Sequence, residues 1–185
     1  MPHFISLVVV CGLLIDFSRS TGLFNSFLSL FGAEPVNLLS QPQNFKPIFV
    51  ASGIWQQMGW NSIIYLATLS TIDNTLYEAA AIDGASRLKQ IRYITFPALI
   101  PVMTIQLIMR IGHAMSLGFE KVILLYNPLT LETADVVSSY IYRRGLEELN
   151  YSIGAAVGLF NSVINIVILI SANYICKKLL KESLW

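Results

Sequence analysis

The chain has 185 residues, of which 55% are hydrophobic and only 12% charged, and its mean hydropathy is +0.62. This composition departs from that of soluble domains and indicates a membrane protein. The net charge of +1 excludes an overall excess of either sign that would attract nucleic acid or a strongly charged partner. Cys11 and Cys176 lie far apart in apolar segments, so we expect neither a disulfide framework nor a metal site.

Four apolar segments are candidates for membrane spans, because about 20 largely apolar residues cross a hydrocarbon core of about 30 Å. The first, at about 1–18, has an apolar run of only about a dozen residues from Phe4 to Ile15, which predicts that the start of this span is missing. The other three lie at about 48–70, 97–119 and 153–175. The sequence therefore predicts an all-α fold, a polytopic transmembrane helix bundle.

The placement of Lys and Arg predicts the orientation of the spans. The 73–96 segment and the tail after Ile175 together hold six basic residues, whereas the longer segments 19–47 and 120–152 hold five. The basic tail directly follows its span, where such charges have most effect. This supports a cytoplasmic 73–96 loop and extracytoplasmic loops at 19–47 and 120–152.

The 73–96 loop is polar but patterned as two short helices. Asp73 is placed to cap a first helix that runs through Ala81, and three successive alanines favour that helix. Gly84 permits the left-handed turn that would end it. Ser86 is placed to cap a second helix, before Pro97 and a further proline begin the next span.

Within this loop, the strings EAA and DGA and the residues Ile94 and Pro97 occur at the spacing of a signature loop. The segment resembles that of binding-protein-dependent ABC importer permeases. The resemblance implies that the loop forms coupling helices that seat in a groove of a partner ATPase. The implied coupling residues are Glu78, Ala79, Ala80, Asp83, Gly84, Ala85, Ile94 and Pro97. The alternative, which we favour less, is a helical hairpin lying on the membrane.

Other strings, among them MGWNSIIYLATLSTIDNTLYEAA and GFEKVILLYNP, are similar to the oligosaccharide branch of these permeases, the LplB type, which is related to maltooligosaccharide permeases. The resemblance implies the type I importer fold, with about four of its usual six spans present and the first two absent. It also implies a multi-pass protein of the cell membrane. The implied partners are a cytoplasmic ABC ATPase dimer, a second homologous permease, an extracytoplasmic solute-binding protein and an oligosaccharide substrate.

Polar residues within membrane helices usually face a bundle interior or a water-filled cavity. Gln106, Arg110 and His113 form one stripe on the 97–119 helix. Arg110 could donate to hydroxyl or carboxylate oxygens of a sugar, and it could equally pair with another subunit or extend to the membrane surface. His113 by itself is more typical of a histidine satisfied within the bundle.

A second polar face lies on the 48–70 span, where Gln57 and Asn61 stand one turn apart with Trp60 beside them. Aromatic surfaces stack on the apolar faces of sugars, so these residues are candidates for a substrate pathway. Ordinary helix packing is the interpretation we favour for the tryptophan.

The last span carries Gly154 and Gly158 as a GxxxG pair, followed by Asn161 and Asn165 on nearly the same face. Small residues allow close contact between helices, and buried amides form hydrogen bonds between them. The pattern favours helix packing, for example against the second permease, over contact with substrate.

In the 120–152 loop, Asn127-Pro128 indicates a turn, and 133–146 has the spacing of an amphipathic helix. Such a helix could contact the solute-binding protein, cover a cavity mouth or lie on the membrane.

No phosphate-binding loop of the form G-x-x-x-x-G-K-[ST] and no hydrolase motif occurs, so we do not expect an enzyme. ATP hydrolysis would belong to a separate subunit that binds ATP and Mg²⁺, and the chain itself would need no cofactor. The sequence thus predicts a permease subunit of an ABC importer. An ion-coupled secondary transporter, with an ion site near Arg110, and a non-transporting membrane scaffold fragment are the alternatives.

Overall fold

The computed structural model describes residues 2–112 and 118–180. The regular elements in these two ranges are helical, which confirms the predicted all-α fold. The chain divides into two compact units, the first formed by the described residues within 1–59 and 115–162, and the second by those within 60–114 and 163–185. The boundaries fall inside two long helices, after Gly59 and after Ser162.

The elements follow one another with short connections. In chain order they are a 3₁₀ turn (Pro2–Phe4), α1 (Leu7–Ser18), α2 (Leu23–Ser29), a 3₁₀ turn (Leu38–Ser40), α3 (Pro42–Ser70), α4 (Asn74–Ile82), α5 (Arg87–Gln90), a π-helical turn (Ile91–Thr95), α6 (Phe96–Gly112), α7 (Phe119–Leu125), α8 (Leu131–Ala134), α9 (Val137–Ile141), a second π-helical turn (Tyr142–Glu147) and α10 (Tyr151–Leu180).

The first unit has a small apolar core to which helices from both of its sequence ranges contribute. Cys11 of α1, Phe45 of α3, Leu125 of α7 and Ala134 of α8 are buried together with Leu39. Removal of this apolar surface from solvent is the main force that holds these short helices together.

The connection after α2 is fixed by one buried amide. The Asn25 side-chain nitrogen donates to the carbonyls of Arg19 and Val36 at 2.8 and 2.7 Å, and its oxygen accepts from the Val36 N–H at 3.1 Å. These bonds satisfy backbone groups that the irregular chain would otherwise leave unpaired. The predicted 19–47 loop is therefore an ordered segment that contains α2.

In the second unit, α5, the first π-helical turn and α6 form one continuous helical segment from Arg87 to Gly112. The structure therefore differs from the sequence prediction, in which a new helix began at Pro97. A proline inside a helix lacks an N–H and crowds the carbonyl four residues earlier. The π-helical turn, in which the Phe96 N–H donates to the Ile91 carbonyl, lies directly before Pro97 and adjusts the backbone there.

Three stretches of the described residues are long and apolar enough to cross a membrane: Leu7–Ser29, Arg87–Gly112 and Tyr151–Lys178. The predicted 153–175 span lies within the third, and the predicted 97–119 span overlaps the second. The first combines α1 and α2, although the chain turns between them. The 29-residue α3 has sufficient length but is more polar, so the predicted 48–70 span stays a prediction.

Candidate functional site

The 73–96 loop begins with a capped helix, as predicted. The carboxylate of Asp73 accepts a hydrogen bond from the Thr75 N–H at 2.9 Å, which satisfies one of the free donors at the start of α4. This bond stabilises the carboxylate and lowers the pKa of Asp73. The alanines at 79, 80 and 81 then add strong helix propensity without bulk.

The end of α4 is a Schellman motif. The Ala85 N–H donates to the Ala80 carbonyl at 2.8 Å, and the Gly84 N–H donates to the Ala81 carbonyl at 3.1 Å. Gly84 has φ of 72°, in the left-handed region that glycine adopts without steric cost. The predicted glycine turn is confirmed, and α4 is fixed at both ends.

The surface of the loop combines free carboxylates with exposed apolar side chains. Ile82 and Leu88 are 87% and 79% exposed, on either side of the turn. Glu78 and Asp83 are exposed, and within the described residues neither side-chain carboxylate forms a hydrogen bond or an ion pair. In the described structure these two carboxylates are therefore not bonded to each other across the turn.

One side-chain bond ties α4 to the long helical segment. The Tyr77 hydroxyl and the Thr95 hydroxyl lie 2.8 Å apart, although 18 residues separate them. Thr95 ends the π-helical turn, next to the half-buried Ile94 and two residues before the exposed Pro97. The predicted coupling residues thus lie on a hairpin whose two arms are joined. The sequence gives no signal for this pair, because neither spacing nor residue type marks it.

An open pocket of about 450 Å³ lies in the second unit, between the part of α3 in that unit and α6. It brings together Asn61, Gln106 and Arg110, which the sequence nominated on two separate helices. The remaining lining residues are Tyr65, Phe96, Ile100, Met103, Thr104 and Leu107. Tyr65 was not predicted, although it stands one turn after Asn61 on the same face and spacing alone could have found it.

The other pathway candidates are not part of this pocket. Gln57 is half-buried in the first unit, and Trp60, at the start of the second, is 45% exposed and does not line the pocket. His113 lies outside the described residues. Of the six residues predicted for a substrate pathway, three therefore line the same pocket.

The GxxxG pair on α10 divides into two different environments. A Cβ added at Gly154 would stand 3.0 Å from the Cα of Gly145, so these two backbones are in close contact within the first unit. A Cβ added at Gly158 would meet no atom within 4 Å. On the same helix, the amide oxygens of Asn161 and Asn165 are buried without a hydrogen-bond partner among the described residues. Gly154 thus packs against another part of the chain, whereas the space beside Gly158 is empty among the described residues.

In the predicted extracytoplasmic loop 120–152, a partly buried ion pair joins the turn after α8 to the second π-helical turn. Arg143 Nη2 donates to Asp135 Oδ2 at 2.6 Å, and the Ser139 hydroxyl donates to Asp135 Oδ1 at 2.6 Å. Partial burial by itself raises the pKa of Asp135, but these bonds and the charge of Arg143 outweigh it, so the pKa lies below its usual value.

Lys121 of α7 is a buried cation in the first unit. Its side chain is 6% exposed, and its Nζ donates to the Phe49 carbonyl at 2.9 Å and lies 4.9 Å from the centre of the Phe49 ring. No carboxylate of the described ranges forms an ion pair with it. Burial lowers the pKa of Lys121, because desolvation disfavours the charged ammonium.

Comparison with known proteins identifies the family of this chain. A model of the family described as binding-protein-dependent transport system inner membrane component matches residues 1–181. The chain belongs to this family. It is therefore a component of the membrane part of such a system, in agreement with its apolar helices.

Two relatives from Bacillus subtilis (strain 168) match the whole chain. They are the protein LplB, at 39% identity, and the polygalacturonan/rhamnogalacturonan transport system permease protein YteP, at 38%. The match to LplB confirms the branch of the permease family that the sequence indicated. The chain spans 58% of the length of each of these two relatives.

Solved structures support the same assignment. The chain superposes with a TM-score of 0.95 and 46% identity on a chain of a bacterial alginate ABC transporter crystallised with an alginate pentasaccharide-bound periplasmic protein. It superposes with a TM-score of 0.93 and 47% identity on a bacterial ABC transporter involved in the import of the acidic polysaccharide alginate. The first match covers 100% of this chain and 64% of the other, and the second covers 96% and 63%.

Proposed function

We propose that the chain forms part of the permease subunit of an ATP-driven importer that moves an oligosaccharide across the cell membrane. Membership of the permease family supports the transport function, and the saccharide transport named for several relatives supports the substrate class. Energy would come from a cytoplasmic ABC ATPase dimer that binds ATP and Mg²⁺. A second homologous permease and an extracytoplasmic solute-binding protein would complete the assembly.

The observation that carries this proposal is the form of the 73–96 loop. A contact that transmits force between two subunits needs a rigid projection, and α4 is capped at its start by Asp73 and closed at its end by the Gly84 turn. Exposed apolar side chains on a polar segment indicate a partner surface. Ile82 and Leu88 would enter an apolar groove of the ATPase, and the unpaired carboxylates of Glu78 and Asp83 would meet basic groups there.

Copurification tests the coupling. A tagged chain purified in mild detergent from the membranes of its own host should bring down an ABC ATPase, identified by mass spectrometry. Ile82→Asp should lower the retained ATPase at least about 10-fold, because it removes an apolar contact and places an unpaired charge in the interface. Leu129→Asp, at a residue 68% exposed in the predicted extracytoplasmic loop, is the matched control. Equal retention in both variants would contradict docking through this loop.

Uptake into membrane vesicles tests the energy source. Vesicles that contain the assembled importer should accumulate oligosaccharide only with ATP and an active ATPase. Accumulation that persists with a catalytically inactive ATPase and follows an ion gradient would establish the ion-coupled alternative. Assembly with the ATPase but no uptake under either condition would establish the scaffold alternative.

A further inference from the structure

Arg110 has no anion partner among the described residues of its own unit. No carboxylate of the described residues forms an ion pair with it. The acidic side chains among the described residues of the second unit are Asp73, Glu78 and Asp83, all in the 73–96 loop. Arg110 stands near the opposite end of the continuous helix that begins at Arg87, about 35 Å along its axis at about 1.5 Å per residue. The described residues of the unit therefore supply no counter-charge next to Arg110.

The chemistry of the side chain favours an anionic partner. A guanidinium carries a positive charge and five N–H donors in a fixed planar arrangement. Within a membrane helix an unpaired cation is costly, and it usually faces a partner or a water-filled cavity. The planar fork of donors matches the two oxygens of a carboxylate or the oxygens of a phosphate.

The pocket around Arg110 offers contacts suited to a sugar ring. The amides of Asn61 and Gln106 supply both donors and acceptors for hydroxyl groups, and the rings of Tyr65 and Phe96 supply apolar faces. Its volume of about 450 Å³ falls in the range of about 300–1,000 Å³ typical of small-molecule sites. None of the lining residues is acidic, so nothing in the lining would repel an anionic ligand.

We propose that Arg110 binds a carboxylate of an acidic oligosaccharide, so that this pocket favours uronate-containing substrates over neutral ones. The proposal rests on the proposed function, because it identifies the substrate class of the same transport pathway. Asn61 and Gln106 bind ring hydroxyls and contribute to neutral and acidic sugars alike. Arg110 alone distinguishes the two, since its bond to a carboxylate is charge-assisted and its bond to a neutral ester is not.

The test compares one sugar with and without its charge. The assembled importer, in phosphatidylcholine proteoliposomes, is supplied with an oligogalacturonate or with its fully methyl-esterified form. We expect Arg110→Gln to lower the uptake of the oligogalacturonate by about 10- to 100-fold and to change that of the ester by less than about 2-fold. The uptake of the oligogalacturonate by Arg110→Lys should lie between those of the wild type and Arg110→Gln, because an ammonium lacks the planar pair of donors that a guanidinium offers to a carboxylate. Arg19→Gln, which breaks an exposed pair with Asp16, is the control and should leave both uptakes unchanged.

The possible outcomes distinguish a failure of this proposal from a failure of the proposed importer function. Equal loss for both sugars in Arg110→Gln, or no loss for either, overturns the role of Arg110 while the importer function stands. If the loss of uptake in Arg110→Gln depends on added phosphatidylglycerol and not on the charge of the substrate, Arg110 binds a lipid phosphate, and the proposal is also overturned. A wild-type importer that takes up neither sugar, although its ATPase is bound and active, overturns the oligosaccharide function and this proposal together.

Discussion

Replacement of Gly84 by alanine tests how far the left-handed turn at the end of α4 determines the rigidity of the 73–96 loop. Gly84 has φ of 72°, and a Cβ added there would meet no atom within 4 Å, so steric crowding by neighbours does not contribute. The remaining cost is conformational, about 1–2 kcal/mol for an L-residue in the left-handed region. That cost lowers the population of the closed turn relative to open forms by about 5- to 30-fold.

Amide hydrogen exchange measures this effect directly. The Ala85 N–H, which donates to the Ala80 carbonyl at 2.8 Å, should exchange faster in Gly84→Ala by the same factor. Uptake per ATP hydrolysed by the assembled importer should fall as well, because a loosened turn transmits less of the ATPase motion. Gly84→Asn should be milder, since asparagine tolerates the left-handed region.

A second glycine gives the matched control. Gly12 in α1 is also exposed with no atom near an added Cβ, but its φ is not positive. Gly12→Ala should therefore leave the exchange of the Ala85 amide and the coupling unchanged. If Gly84→Ala behaves as Gly12→Ala does in both measurements, the left-handed turn does not determine the rigidity of the loop, and the argument fails.

Three further predictions concern packing and charge. Gly154→Ala should destabilise the purified chain by about 1–3 kcal/mol in thermal unfolding, because the added methyl group meets backbone, whereas Gly158→Ala should not, and the opposite order would contradict the packing described. Asp135→Asn should cost about 1.5–3 kcal/mol at neutral pH. Because the pKa of Asp135 is lowered by folding, its contribution is present above the unfolded pKa of about 3.9 and lost as pH falls through the folded value, so wild type and Asp135→Asn should converge in acid. Folding lowers the pKa of Lys121, so the stability of the wild type should rise with pH between that lowered value and the unfolded pKa of about 10.4. Lys121→Met should remove this rise. A rise of equal size in the variant would show that Lys121 is not its cause.

The features predictable from sequence are those that depend on a few neighbouring residues. The Asp73 cap and the Gly84 turn are set by bonds that reach no further than five residues along the chain, so residue type and spacing suffice to place them. The continuity of the helix through Pro97 was not predictable, because a proline usually marks a helix boundary. Here a π-helical turn absorbs the disturbance, and the residues Ile91–Thr95 carry no pattern that distinguishes it.

The pocket was predictable in its parts but not in its assembly. Asn61 was nominated on one helix and Gln106 and Arg110 on another, because helical spacing reports which residues share a face. Their meeting depends on how α3 and α6 pack within the second unit, which is tertiary information. The same limit explains the GxxxG pair, because the sequence motif does not reveal that Gly154 contacts Gly145 while a Cβ added at Gly158 would meet no described atom within 4 Å.

In the proposed importer, the unbroken helix from Arg87 to Gly112 would act as a lever. Its 26 residues give it a length of about 39 Å at about 1.5 Å per residue. A tilt of about 10° about the start of this helix would displace Arg110, about 35 Å along the axis, by about 6 Å, which exceeds the rise of about 5.4 Å in one helical turn. The hydrogen bond between Tyr77 and Thr95 holds α4 to this lever near its pivot. If the proposed ATPase docks on the 73–96 loop, a small rotation of it would therefore produce a large movement at the pocket, without any element having to unfold.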